Sequence, residues 1–82
     1  MNHPGVYLSK KMKAKHISSN ELSRKIGVPS NRVSDIVRGR RNITAKTAIL
    51  LAGFFVETTP KEWMSKQVDY DLYLAEKEMN DA

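Results

Sequence analysis

Apolar residues in this chain return at intervals of three and four, the spacing that gathers side chains on one side of a helix, so the pattern predicts an all-helical fold. Leu8 and Met12, with Tyr7 beside them and Ile17 just beyond, give an inward edge to a helix over about residues 6–15. Leu22 and Ile26 share a face in a second helix, and Val33, Ile36 and Val37 form the stripe of a third. Ala48, Leu51, Ala52 and Phe55, flanked by Ile49, Leu50 and Phe54, describe a fourth that is apolar almost all round. That helix is expected to be the core element, with Ala45, Ala48, Ala52 and Gly53 letting its neighbours approach closely. A long last helix, about residues 60–79, carries Trp63, Met64, Gln67, Val68, Tyr70, Leu72, Tyr73 and Leu74 in one broad band. The band exceeds what one small core hides, so part of it is expected to meet another chain. The charged stretch from Glu76 to Asp81 should fray.

Punctuation between these runs predicts where each helix starts and stops. Residues 1–5 read as an extended lead-in, because Pro4 restricts His3 and Gly5 resists regular structure. His16 stands where a helix wants a left-handed residue, a conformation histidine tolerates better than most. Ser18 is placed to cap the amide of Glu21 while Glu21 reaches back, and Ile17 to staple onto Leu22. Gly27 ends that helix, Val28 follows as an apolar plug, and Pro29 with Ser30 as cap opens the next, which runs to Arg38 and stops at Gly39. Thr44 caps the fourth helix; Thr59, Pro60 and Glu62 write the start of the fifth. Two short amphipathic helices joined by a glycine turn over residues 18–41, with the small Ser23 where they nearly touch, form a helix-turn-helix.

With the apolar stripe of the third helix turned inward, Ser30, Asn31, Arg32, Ser34, Asp35 and Arg38 stand on its other side. Side chains of this length and hydrogen-bonding type reach base edges when a helix lies in the major groove. Asn31 suits an adenine and Arg32 a guanine; Asp35 either accepts from a cytosine or orients Arg32 or Arg38. Ser19, Asn20 and Arg24 are placed for one phosphate strand, and Arg38, Arg40 and Arg41 for another. Charge agrees with this division. The net charge is +5, and residues 1–41 carry ten Lys/Arg against Glu21 and Asp35, whereas the remainder carries four against seven acids. A basic half holding the reading helix and an acidic half without it suits a polyanion binder with a separate partner surface. Lys10, Lys11, Lys13 and Lys15 follow one another around their helix, which favours solvation over phosphate contact.

The 82 residues read as one small helix-turn-helix domain without cysteine, so no disulfide or cysteine metal site staples it. His3 and His16 are too few and too far apart for a zinc site or a catalytic triad, and nothing calls for a cofactor. Paired carboxylates and a phosphate-cradling glycine loop are lacking, which argues against an enzyme such as a small nuclease. Tyr7 is the only aromatic residue before Phe54, so aromatics do not interleave with the basic residues as RNA binding requires. No signal peptide is visible, and the run Ala48–Val56, broken by Gly53, is too short to span a bilayer, so a cytoplasmic protein is expected.

Beyond the motif, His3-Pro4-Gly5, Gly39-Arg40-Arg41-Asn42-Ile43-Thr44, Thr47-Ala48, Leu51-Ala52, Trp63, and Gln67 with Tyr70-Asp71-Leu72 resemble the HigA, or VapI-like, antitoxins of the XRE class. The resemblance covers nearly the whole chain. It implies a five-helix, lambda-repressor-like all-α domain that forms a homodimer and binds double-stranded DNA at a palindromic operator upstream of its own genes. It further implies neutralisation of a RelE-like toxin, HigB, which cleaves mRNA. Ser23 stands where the family more often has alanine, and His16 where it usually has glycine. Two other readings share these residues: an XRE-type repressor with no toxin partner, and a protein-interaction domain that reads no DNA.

Overall fold

A computed structural model describes residues 2–81; Met1, part of the expected lead-in, and Ala82 lie outside them. Five helices follow in order: α1 Pro4–Ala14, α2 Ser19–Ile26, α3 Arg32–Val37, α4 Ala45–Phe54 and α5 Pro60–Asp81, with no strand among the described residues. The fold is all-α, as the periodicity predicts. Leu8, Leu22, Val33, Ile36, Ala48, Leu51, Phe55 and Trp63 are wholly excluded from solvent, and Met12, Ile26 and Ile43 complete the cluster they form.

Three of the helix ends share one device. After α1 the left-handed residue is His16 (φ 53°), and the amides of His16 and Ile17 return to Lys13 and Met12. After α2 it is Gly27 (φ 76°), with Val28 N donating to Ser23 O; after α3 it is Gly39 (φ 77°), with Arg40 N donating to Asp35 O. In each case one αL residue lets two amides satisfy carbonyls that the helix leaves open. Starts are also largely as spelled. Ser18 Oγ accepts from Glu21 N at 3.2 Å, and Thr44 and Thr59 hydroxyls accept from Thr47 N and Glu62 N.

Several expectations are corrected. The chain is helical from Pro4, because His3 Nδ1 accepts from Gly5 N at 2.9 Å and caps the helix, with Pro4 at its first position. Gly5 is buried where α1 crosses α3: a Cβ there would run into the Ile36 carbonyl oxygen and lie 3.0 Å from Val37 Cα. The glycine is present for close approach, which outweighs its low helix propensity. Nor is α4 buried all round. It packs on α5 and α2, and no element covers its far side, so Ile49 is 59% exposed and Gly53 faces open space; Val56, in the turn that follows, is 80% exposed. Ala45 is exposed as well, which leaves Ala48, fully buried, and Ala52, partly buried against the core, as the small residues that pack.

In α5 only Trp63 and Gln67 are buried, while Val68, Leu72, Tyr73 and Leu74 are 40–55% exposed. The helix persists through Glu76 to Asp81 instead of fraying, since the stretch is rich in good helix formers and holds no breaker. Gln67 does not belong to an apolar band. Its Oε1 accepts from Ile43 N at 2.8 Å and its Nε2 donates to Asp71 Oδ1 at 2.9 Å. Near the other end of the cluster, Thr58 Oγ1 accepts from Trp63 Nε1 at 2.8 Å and donates to Phe55 O at 2.7 Å. Both are buried polar groups fully employed, Gln67 by a backbone amide and the Asp71 carboxylate and Thr58 by a backbone carbonyl and the indole, the condition under which burial costs little.

Two of the first-helix lysines have specific partners. Lys11 Nζ lies 2.8 Å from Glu57 Oε2; this bond holds the Glu57 carboxyl below its ordinary value and raises Lys11. Lys15 Nζ stands 5.5 Å from the Phe54 ring centre.

Candidate nucleic-acid interface

α3 is only six residues long, so its placement depends on what holds each end. Its start differs from the expected serine cap. The turn Pro29–Arg32 closes first, Pro29 O accepting from Arg32 N at 2.9 Å, and the cap position falls on Asn31, whose side chain makes no capping bond. Ser30 therefore projects from the turn ahead of the helix. The missing cap is supplied across the motif: Ser23 of α2, fully buried, accepts from Val33 N through its Oγ at 3.3 Å. Serine at the α2–α3 contact satisfies an amide that alanine leaves unpaired.

The C-terminal end is held twice. Gly39 and Arg40 amides bond to Ile36 and Asp35 carbonyls, and three residues beyond Arg40 the Ile43 amide is bound by Gln67 of α5. The basic turn Arg38–Arg41 is thus anchored at both ends by buried groups while its side chains are exposed. Sequence spacing alone did not reveal Gln67 as an anchor, or His3–Pro4–Gly5 as the support beneath α3. A signal for the latter was present, since a cap residue followed by proline is the same start written at Thr59–Pro60.

With both ends held, Val33 and Ile36 are buried and the opposite side of α3 is presented outward. Ser30 and Asn31 are exposed; Arg32, Ser34 and Asp35 are half-buried. Ser34 Oγ donates to Asn31 O at 3.0 Å, which leaves its lone pairs free as acceptors. The expected pairing of Asp35 with Arg32 or Arg38 is not formed among the described residues, whose ion pair is Lys11–Glu57. Exposed pairs gain little over water, so nothing draws those side chains together and the Asp35 carboxylate keeps its accepting capacity. On the neighbouring helix, Asn20 and Arg24 are exposed, Ser19 is half-buried, and Asn20 and Arg24 line a shallow groove with Val28 and Ser30. The structure therefore brings the α2 residues beside the start of α3, and Arg38, Arg40 and Arg41 to its other end.

This geometry suits a duplex: a short rod with a polar outer side, flanked at both ends by hydrogen-bonding and cationic groups at the level of its surface. No group of three or more His, Cys, Asp or Glu able to hold a metal occurs among the described residues, and no described helix is long and apolar enough to cross a membrane.

Comparison with known proteins agrees with this architecture. Residues 8–58 match the family described as helix-turn-helix. Virulence-associated protein I of Dichelobacter nodosus is 35% identical over 77 residues, covering 93% of this chain and 70% of that protein. An addiction module antidote protein of the HigA family from Coxiella burnetii superposes with a TM-score of 0.90 at 40% identity, over 98% of this chain and 87% of that one. The Pseudomonas aeruginosa antitoxin HigA, solved with the higBA promoter, gives a TM-score of 0.91 at 34% identity with the same coverage of both chains.

Proposed function

This chain belongs to the XRE-type helix-turn-helix family, among its HigA and VapI-like members, and from that membership we propose that it is a sequence-specific DNA-binding antitoxin. In this reading it represses its own operon and neutralises a RelE-like, mRNA-cleaving HigB toxin. The observation that carries it is the outward polar side of α3, held at one end by Ser23 and at the other by the anchored basic turn.

Within the groove, Asn31 reads an adenine and Arg32 a guanine, each good bidentate pair discriminating by about 1–3 kcal/mol. Ser30, Ser34 and Asp35 complete the base-facing set. Ser19, Asn20 and Arg24 take one phosphate strand and Arg38, Arg40 and Arg41 the other, setting register and salt dependence. A single six-residue helix reads few bases, so two copies are required, their α3 helices about 34 Å apart to meet successive major-groove faces of a palindrome. The exposed Val68, Leu72, Tyr73 and Leu74 of α5 are the apolar surface available for pairing. Toxin binding would draw on the acidic second half of the chain, which complements a basic RNA-cleaving enzyme.

The test compares Arg32→Ala with Arg40→Ala on DNA from upstream of the gene. Arg32→Ala should relax preference at one base position, whereas Arg40→Ala should weaken all sequences alike and reduce the salt slope by about one. Equal effects on sequence preference would remove the assignment. Co-expression with the adjacent small open reading frame separates the two functions: rescued growth supports the antitoxin reading, and operator binding without rescue leaves a repressor with no toxin partner.

A further inference from the structure

Away from the reading helix, the start of α1 and the middle of α5 enclose a cleft of about 280 Å³. Its walls are His3, Val6, Tyr7 and Lys10 on one side and Lys66 and Asp69 on the other. Three observations describe what it would accept. Lys66 is half-buried, lies 4.1 Å from the Tyr7 ring centre, and has no carboxylate partner among the described ion pairs. Next, Nδ1 of His3 is occupied as an acceptor from Gly5 N, so its hydrogen is on Nε2, a buried donor without a hydrogen-bond partner. Third, the Tyr7 ring and Val6 give the cleft an apolar wall. Two ammonium groups against one carboxylate leave the lining with a single positive charge.

Through His3 and its neighbour Gly5, the cleft adjoins the DNA-reading element. Gly5, two residues beyond His3, lies directly on the last turn of α3, and a Cβ on Gly39 would come within 3.9 Å of His3 Cγ. His3 also meets Tyr70 of α5 edge to face, with ring centres 5.0 Å apart. A ligand that draws Lys66 and His3 together therefore acts on the seat of α3.

We propose that this cleft binds a small organic oxyanion, a carboxylate or phosphate monoester with a planar or aliphatic body, and that occupancy changes operator affinity. The oxyanion is held by Lys10, Lys66 and His3 Nε2–H, and the body lies along Tyr7 and Val6. The coupling to DNA rests on the operator-binding reading above; the binding site itself does not.

Amide chemical shifts of the isotopically labelled full chain, titrated with benzoate, phenyl phosphate, inorganic phosphate and neutral benzamide, test the site. Saturable shifts confined to residues 2–10 and 66–70 with benzoate or phenyl phosphate are expected, and whichever binds tighter identifies the head group. Lys66→Gln should weaken binding about tenfold, the loss of one charge-assisted contact, while Lys77→Gln on the exposed end of α5 leaves it unchanged. Equal response to benzamide, inorganic phosphate binding as tightly as phenyl phosphate, shifts that never saturate, or an unaffected Lys66→Gln would each overturn the proposal. Gel shifts with and without the tighter ligand test the coupling: an altered operator affinity that Lys66→Gln abolishes is expected. Saturated protein with unchanged affinity overturns the regulatory half, and protein that binds no operator at all fails the earlier reading while the chemical-shift result still stands.

Discussion

Replacing Gln67 tests how far the basic turn depends on one buried amide in α5. Gln67 is 3% exposed, and its Oε1 is the partner of the Ile43 amide at 2.8 Å. Gln67→Met retains most of the volume and removes the acceptor, so the Ile43 N–H is left buried and unpaired. An unsatisfied buried donor costs about 1–3 kcal/mol, and the short bond places the loss near the middle, about 2 kcal/mol. At roughly 4–8 °C per kcal/mol for a domain of this size, the melting temperature should fall by about 8–16 °C. Gln67→Glu separates the acceptor from the charge. It can still accept from Ile43, but it sets a carboxylate where Nε2 now donates to Asp71 Oδ1 at 2.9 Å. Burial and the Asp71 charge both raise the pKa of the introduced group above its unfolded value of about 4.3. A raised folded pKa means its stability contribution is complete below about pH 4 and lost as pH climbs through the folded value. Thermal melts followed by circular dichroism at about pH 4, 5.5 and 7 should show a Gln67→Glu deficit that widens with pH. A Gln67→Met melting temperature within about 2 °C of the parent, or a pH-independent Gln67→Glu deficit, would refute the reasoning.

Gly5→Ala places a methyl group against the Ile36 backbone, 2.9 Å from its carbonyl carbon, where no side chain can yield; denaturant titration should show a loss of at least about 3 kcal/mol, the upper end of overpacking. Ser23→Ala removes the acceptor of Val33 N, whose bond is long at 3.3 Å, so about 1 kcal/mol is expected from the same titration, with operator affinity falling as the start of α3 loosens. Burial first, then the 2.8 Å bond to Glu62 and its charge, hold the Tyr7 phenol above its ordinary 10.0. That contribution to stability is present below about pH 10 and lost as pH rises through the raised value. Absorbance titration in a Tyr70→Phe, Tyr73→Phe background should place the Tyr7 midpoint above 10.0, and Glu62→Gln should lower it while leaving the part due to burial.

What the sequence determined by itself is whatever acts within one turn of the chain. Ser18, Thr44 and Thr59 cap amides three residues on, and His16, Gly27 and Gly39 accept positive φ because their own backbones allow it. The three-four spacing of Leu8, Leu22, Ile26, Val33, Ile36, Ala48 and Leu51 put the right side of each helix inward, and the motif and its outward polar residues followed from that. Tertiary structure decided the pairings between residues distant in sequence. That Gly5 serves α3, that Ser23 caps α3 in place of Ser30, and that Gln67 holds Ile43 depends on which backbone group lies opposite once the helices have packed. The exposure of Ile49 and Gly53 has the same origin, since an apolar helix side is buried only where another element reaches it. Spacing orients a side chain about its own helix axis; only the packed arrangement determines what meets it there.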